Sequence, residues 1–89
     1  MKLSVEISNY PLNEDYIPPI KDFIERLKAT NGLRISCNTM STQIFGDYDA
    51  VMAVLNRAMK YSFEHFGKMI FVCKFINTDL DPLLKPHDD

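Results

Sequence analysis

The first ten residues alternate between apolar and polar side chains, which is the period of a β-strand with one buried face. The apolar side carries Leu3, Val5 and Ile7, and the polar side carries Ser4, Glu6, Ser8 and Tyr10. Pro11 lacks a backbone N–H donor and is predicted to end this strand.

Two later segments place apolar residues at helical spacing. The first follows Pro18 and Pro19, which fit a first helical turn, and is predicted to stop at Asn31-Gly32. The second is predicted from about residue 48 to 66. Asp47 is its expected N-cap, and Gly67 is expected to end it.

Between the helices, residues 33–37 and 40–45 alternate as two strands of a hairpin. Asn38-Thr39 is the predicted turn, because Asn tolerates left-handed backbone and can hydrogen-bond its own chain. The last strand, residues 69–77, is apolar on both faces apart from Lys74. We expect Phe71, Cys73 and Phe75 to face the helices.

This order, β-α-β-β-α-β, predicts an α+β ferredoxin-like fold. Its antiparallel four-stranded sheet should have strand order 4-1-3-2, with both helices on one face. Residues 1–78 are the expected domain and residues 79–89 a C-terminal tail. Because the edge strand is apolar on both sides and the domain is small, we expect a second copy to cover the other face in a dimer or tetramer. The alternative is a monomer with one sheet face in water.

Composition narrows the possible partners. The 89 residues carry a net charge of -2 and no Lys/Arg cluster, which argues against a nucleic-acid partner. No apolar run approaches the ~20 residues of a membrane span, and no signal peptide is recognised, so a cytoplasmic protein is expected. Cys37 and Cys73 are expected to be buried, reduced thiols. With His65 and His87 they show no ligand spacing, so neither a metal nor a cofactor is predicted.

The polar side chains of the first three strands are expected to share the open sheet face. They are Ser4, Glu6, Ser8, Tyr10, Arg34, Ser36, Asn38, Ser41 and Gln43. If a partner covers them they must be hydrogen-bonded, and such a pocket suits a small polar ring ligand. Glu6 could hold an amino group or a cation, or it could form an ion pair with Arg34 or Lys74. Tyr10, Phe45 and Phe75 are candidate stacking rings, the last two being favoured as packing residues.

Three stretches resemble the YkoF-like thiamine-binding family and related single-domain thiamine-binding proteins. They are Tyr10-Pro11-Leu12, the run from Asn38 to Asp47, and Phe75-Ile76-Asn77. The resemblance spans about residues 3–78. It implies a ferredoxin-like fold paired either as a tandem repeat or by oligomerisation, binding of thiamine or its hydroxymethylpyrimidine moiety, and a link to vitamin uptake or salvage.

By position, the resemblance implies a set of ligand-binding residues. They are Ser8, Tyr10, Asn38, Thr39, Ser41, Thr42 and Asn77. Glu6 joins them as a possible counter-charge to cationic thiamine.

Non-catalytic binding of thiamine or its pyrimidine is therefore the first hypothesis. An enzyme of the dimeric α+β barrel type is the second; it would act on a small substrate and depend on Glu6. A ligand-free interaction domain is the third. The sequence has neither a glycine-rich phosphate loop nor a recognisable nucleophile motif.

Overall fold

In the computed structural model, which describes residues 1–81, two helices pack on one face of a four-stranded antiparallel sheet. The elements are β1 (Lys2–Pro11), α1 (Ile17–Lys28), β2 (Arg34–Cys37), β3 (Thr42–Asp47), α2 (Tyr48–Phe66) and β4 (Met69–Ile76). The strands lie in the order β2-β3-β1-β4, which is the predicted order read from the other edge. The ferredoxin-like prediction is confirmed. Residues 82–89 of the predicted tail lie outside the described residues.

The alternation in β1 determines which face meets the helices. Leu3, Val5 and Ile7 are each no more than 3% exposed and form the core with Ile44 and apolar residues of both helices. Burial of such side chains is the main driving force for the fold.

In β4, the register pairs Val5 with Phe75 and Ile7 with Cys73. This register puts Phe71, Cys73 and Phe75 on the helix side, as predicted. Lys74 therefore lies on the opposite, open face.

The helix ends follow the sequence signals with two exceptions. α1 has proline in its first turn, but it ends at Lys28 with Ala29 as its C-cap, before the predicted stop at Asn31-Gly32. Gly32, at φ 85°, lies in the connection that follows. Gly67, at φ 84°, ends α2. Asp47 occupies the N-cap position of α2 but makes no side-chain cap bond. Its carboxylate instead lies 3.1 Å from the Lys2 Nζ.

The hairpin turn is closed by the side chain of Asn38. Its Oδ1 accepts the backbone N–H groups of Met40 at 2.8 Å and Ser41 at 2.9 Å. Within residues 1–81, positive φ occurs only at glycine, so Asn38 contributes hydrogen bonds and not left-handed backbone. β3 consequently begins at Thr42, two residues later than predicted.

The prediction that both cysteines are buried is wrong for Cys37. It is exposed because it ends β2, an edge strand, just before the hairpin turn. Cys73 is half-buried and packs against the core, and its burial raises the pKa of the thiol. Both are free thiols.

The chain crosses its own open face after β4, in a segment of residues 78–81 that we call the strap. Ser4 Oγ donates to the Thr78 carbonyl at 2.7 Å and accepts the Leu80 N–H at 2.9 Å. The Arg34 Nε donates to Asp81 Oδ2 at 2.6 Å, and a second guanidinium nitrogen donates to Asp79.

Phe45 lies beneath the strap. It pairs with Ser4 on one side and Arg34 on the other, the two residues that hold the strap, and is 7% exposed. Part of the open sheet face, which we expected a second copy to cover, is thus covered by the chain's own strap. Among residues 1–81, no helix has the length and apolar character needed to cross a membrane.

Candidate functional site

A gap opens where β1 extends beyond its partner β3. The β1–β3 pairing ends at Ile7–Thr42, whereas the β1–β4 pairing continues to Pro11–Met69. The hairpin turn and the first half of α1 stand beside the overhanging part of β1 and enclose a cavity of about 390 Å³. We call it the hairpin cavity; its volume lies within the range of small-molecule sites.

Six of the eight predicted site residues line this cavity. They are Ser8, Tyr10, Asn38, Thr39, Ser41 and Thr42. β1 supplies the first two and the hairpin supplies the other four. Residues far apart in sequence are therefore brought together around one space.

The other two predicted residues, Glu6 and Asn77, lie elsewhere. Glu6 is on the open face near the middle of β1, where it pairs with Gln43 on one side and Lys74 on the other. Asn77 follows the Ser4–Ile76 pair, at the end of the sheet opposite to the hairpin cavity.

Glu6 is held by neighbours on both sides. Its Oε2 accepts the Ser41 hydroxyl at 2.9 Å, and its Oε1 lies 3.2 Å from the Lys74 Nζ. The hydrogen bond from Ser41 and the interaction with Lys74 lower the pKa of Glu6, so this carboxylate is charged at neutral pH. Of the two ion-pair partners predicted for Glu6, Lys74 is the one found, whereas Arg34 bonds the strap.

The cavity's hydroxyl and amide groups are engaged to different degrees. Ser41 donates to Glu6 and accepts the Gln43 Nε2 at 2.8 Å, while the Asn38 carbonyl closes the turn. Ser8 Oγ reaches the Met40 carbonyl only at 3.4 Å, and Thr42 Oγ1 reaches the Cys37 sulfur at 3.7 Å. These long contacts are weak, which leaves the Ser8 and Thr42 hydroxyls able to bond a ligand.

Sequence reasoning missed Asn9, which also lines the hairpin cavity. Its Nδ2 and Oδ1 are both buried, and neither has a hydrogen-bond partner in the described part of the chain. The signal was available, because the two-residue period of Leu3, Val5 and Ile7 continues to Asn9 on the core side of β1.

The aromatic candidates are distributed over three places. Tyr10 lines the hairpin cavity and is 53% exposed, and Tyr16 beside it has the same exposure. Phe45 lies under the strap, and Phe75 lies beside α2 near Met52 and Leu55. Among the aromatic residues of positions 1–81 that line this cavity, Tyr10 and Tyr16 are therefore the exposed ones.

A second concave region, of about 700 Å³, lies on the open face between the strap and β4. We call it the strap cavity; Glu6, Gln43, Lys74 and Leu80 border it. Of its polar side chains, Glu6 pairs with Lys74, and Gln43 donates to Ser41. Among residues 1–81, no group of His, Cys, Asp and Glu is arranged to hold a metal ion.

The family model described as thiamine-binding protein matches residues 5–79. The chain belongs to the thiamine-binding protein family. The match begins within β1 and covers the other three strands and both helices, and it includes every residue that lines the hairpin cavity. The resemblance found in the sequence is thereby confirmed.

Several solved structures share the fold of this family member. A Streptococcus pneumoniae protein has a TM-score of 0.81 at 20% identity, covering 90% of both chains. A Methanocaldococcus protein has a TM-score of 0.75 at 22% identity, over 90% of this chain and 84% of that one. A Thermotoga maritima protein assigned provisionally to thiamine biosynthesis or salvage has a TM-score of 0.76 at 18% identity, over 91% and 85%. No curated protein sequence matches the chain.

Proposed function

We propose that the protein binds thiamine, or its hydroxymethylpyrimidine moiety, in the hairpin cavity and without catalysis. The observation that supports this best is that six of the ligand residues implied by the family resemblance surround one cavity in a chain of the thiamine-binding family. The apolar wall from α1, including Ile20 and Phe23, suits the face of a pyrimidine ring. A role in uptake or salvage of the vitamin is part of this proposal.

Thiamine also carries a cationic thiazolium ring, for which two features of the site are suited. Tyr10 and Tyr16 present exposed rings at the cavity, and an aromatic face attracts a cation. Glu6 is linked to the cavity through Ser41 and contributes negative charge nearby. Asn77, at the far end of the sheet, would act only through a second copy of the chain.

The enzyme alternative receives less support from Glu6. A general acid or base works best when its pKa lies near the working pH. The pKa of Glu6 is shifted the other way, by Ser41 and Lys74, and its two oxygens are both engaged. A binding role therefore suits this carboxylate better than a proton-transfer role.

Isothermal titration of the whole chain with thiamine and with hydroxymethylpyrimidine tests the proposal. Ser8→Leu fills part of the hairpin cavity and should weaken binding about tenfold or more. Ser36→Leu is the matched control, because Ser36 is an exposed strand serine that borders the strap cavity and does not line the hairpin cavity. Absence of binding to both compounds, or equal loss in the two variants, would overturn the proposal.

We also propose that a second copy of the chain covers the apolar part of the open face. Ile70, Val72 and Ile76 of the edge strand β4 point to this face and are 45–51% exposed. A two-fold pairing would bury the same apolar strip of both copies, as isologous dimers do. Light scattering should give at least twice the chain mass, and Val72→Glu should reduce it; a wild-type monomer at high concentration would refute the pairing.

A further inference from the structure

Asn9 is a polar residue at a core position of a central strand. The preceding residues on the same side, Val5 and Ile7, are 2% exposed, and Asn9 continues their row towards α1. β3 has already ended at this point, and Asn9 is one of the residues that line the hairpin cavity. Its two amide atoms are covered by surrounding atoms, so a ligand bonds them only once the side chain turns into the cavity.

Both polar atoms of the Asn9 carboxamide are buried without a partner among residues 1–81. Leaving a buried donor and a buried acceptor unpaired costs folding free energy, and an apolar side chain there would avoid that cost. Elsewhere on the same strand, Ser4 and Glu6 are fully engaged by neighbouring groups. Because Asn9 lies at the wall of a cavity, a ligand there could supply hydrogen bonds to the unpaired donor and acceptor of its amide.

The chemistry of the carboxamide defines that ligand. It presents one acceptor and one donor side by side, and it pairs in two-point fashion with an edge that has an amino donor beside a ring-nitrogen acceptor, as asparagine does with adenine. The pyrimidine of thiamine has such an edge, whereas its thiazole ring does not.

We propose that Asn9 is the specificity-determining residue of the hairpin cavity and pairs with the aminopyrimidine edge of the ligand. This inference rests on the proposed function and deepens it, since it assigns the pyrimidine to the part of the hairpin cavity next to Asn9. The thiazolium ring then lies towards Tyr10 and Tyr16, the exposed rings of the same cavity.

The test is a titration of wild type and variants with three probes: thiamine, hydroxymethylpyrimidine and hydroxyethylthiazole. Asn9→Leu should weaken binding of the first two about 10- to 100-fold and leave the weak binding of the third unchanged. Asn9→Ala removes both amide groups without adding apolar bulk, and should weaken the two pyrimidine-containing probes in the same way. Asn56→Leu, at an exposed asparagine of α2, is the control and should bind all three probes as wild type does.

The outcomes separate the two claims. Wild-type protein that binds none of the probes would refute the proposed function itself. Wild-type binding that survives both Asn9 variants would leave the proposed function intact and overturn the role of Asn9. Equal loss of pyrimidine and thiazole binding in Asn9→Leu would also overturn that role, and Asn9→Ala repeats the test should the leucine variant fail to fold.

Discussion

The two ends of the sheet differ in whether their polar side chains have hydrogen-bond partners. At the strap end, Arg34 bridges Asp79 and Asp81, and Ser4 both donates to and accepts from the strap backbone. At the hairpin end, Asn9 is buried with both amide atoms unpaired, and Ser8 and Thr42 make only long contacts. The polar groups of the strap end are thus satisfied within the chain, whereas those of the hairpin end are left unpaired or weakly bonded, which supports the proposed ligand site there.

The largest expected effect is the loss of the Arg34 guanidinium. Burial opposes its charge, but the hydrogen bonds to Asp81 and Asp79 outweigh this and raise the pKa of Arg34. Arg34→Ala would leave two nearly buried carboxylates, 5% and 9% exposed, without their shared cation. We expect unfolding free energy to fall by about 3 kcal/mol, measured by urea unfolding.

Lys2→Ala is the control for Arg34→Ala. It breaks the exposed Lys2–Asp47 pair and should cost no more than about 0.5 kcal/mol. If both variants lose the same unfolding free energy, the Arg34 ion pairs to the strap stabilise the fold no more than an exposed ion pair does.

Ser4→Ala should have the next largest effect. It removes two hydrogen bonds to the strap from a side chain that is buried. A loss of about 1–2 kcal/mol is expected in the same urea measurement. Ser36→Ala, on the same sheet face but exposed, should be close to neutral; a loss as large as that of Ser4→Ala would contradict the account.

Asn9→Leu should act in the opposite direction on stability. Replacing an unpaired buried amide with an apolar side chain of similar size should be neutral or raise unfolding free energy by up to about 1 kcal/mol in the absence of ligand. Urea unfolding without ligand provides the measurement. A loss comparable to that of Ser4→Ala would show that the Asn9 amide is satisfied within the protein.

The smallest expected effect is the pH dependence that Glu6 contributes. Its folded pKa is lowered by Ser41 and Lys74, so its stabilising contribution is present above the unfolded pKa, about 4.3, and is lost as pH falls through the folded pKa. Urea midpoints at pH 7 and pH 3 should therefore differ slightly less in Glu6→Gln than in wild type. If the urea midpoint falls by the same amount between pH 7 and pH 3 in both proteins, Glu6 does not contribute to the loss of stability in acid.

Most of the fold was predictable because each strand and helix has its own periodicity in the sequence. The gathering of Ser8 and Tyr10 with the hairpin was also predictable once the strand order was known. The strap was not, because its ion pairs join Arg34 to carboxylates 45 and 47 residues away, in a stretch without periodicity. Asn9 could have been predicted as an unusual residue, since it is the polar one in the row of apolar side chains on the core side of β1.

NMR titration with hydroxymethylpyrimidine tests within one sample whether a ligand binds at the hairpin end of the sheet and not at the strap end. We expect a saturable shift of the Asn9 side-chain amide, with the Leu80 backbone amide of the strap unmoved. The Gln43 side-chain amide, which bonds Ser41 and borders the strap cavity, should move little. Shifts at Gln43 and Leu80 with an unchanged Asn9 would contradict the account and place the ligand on the open face.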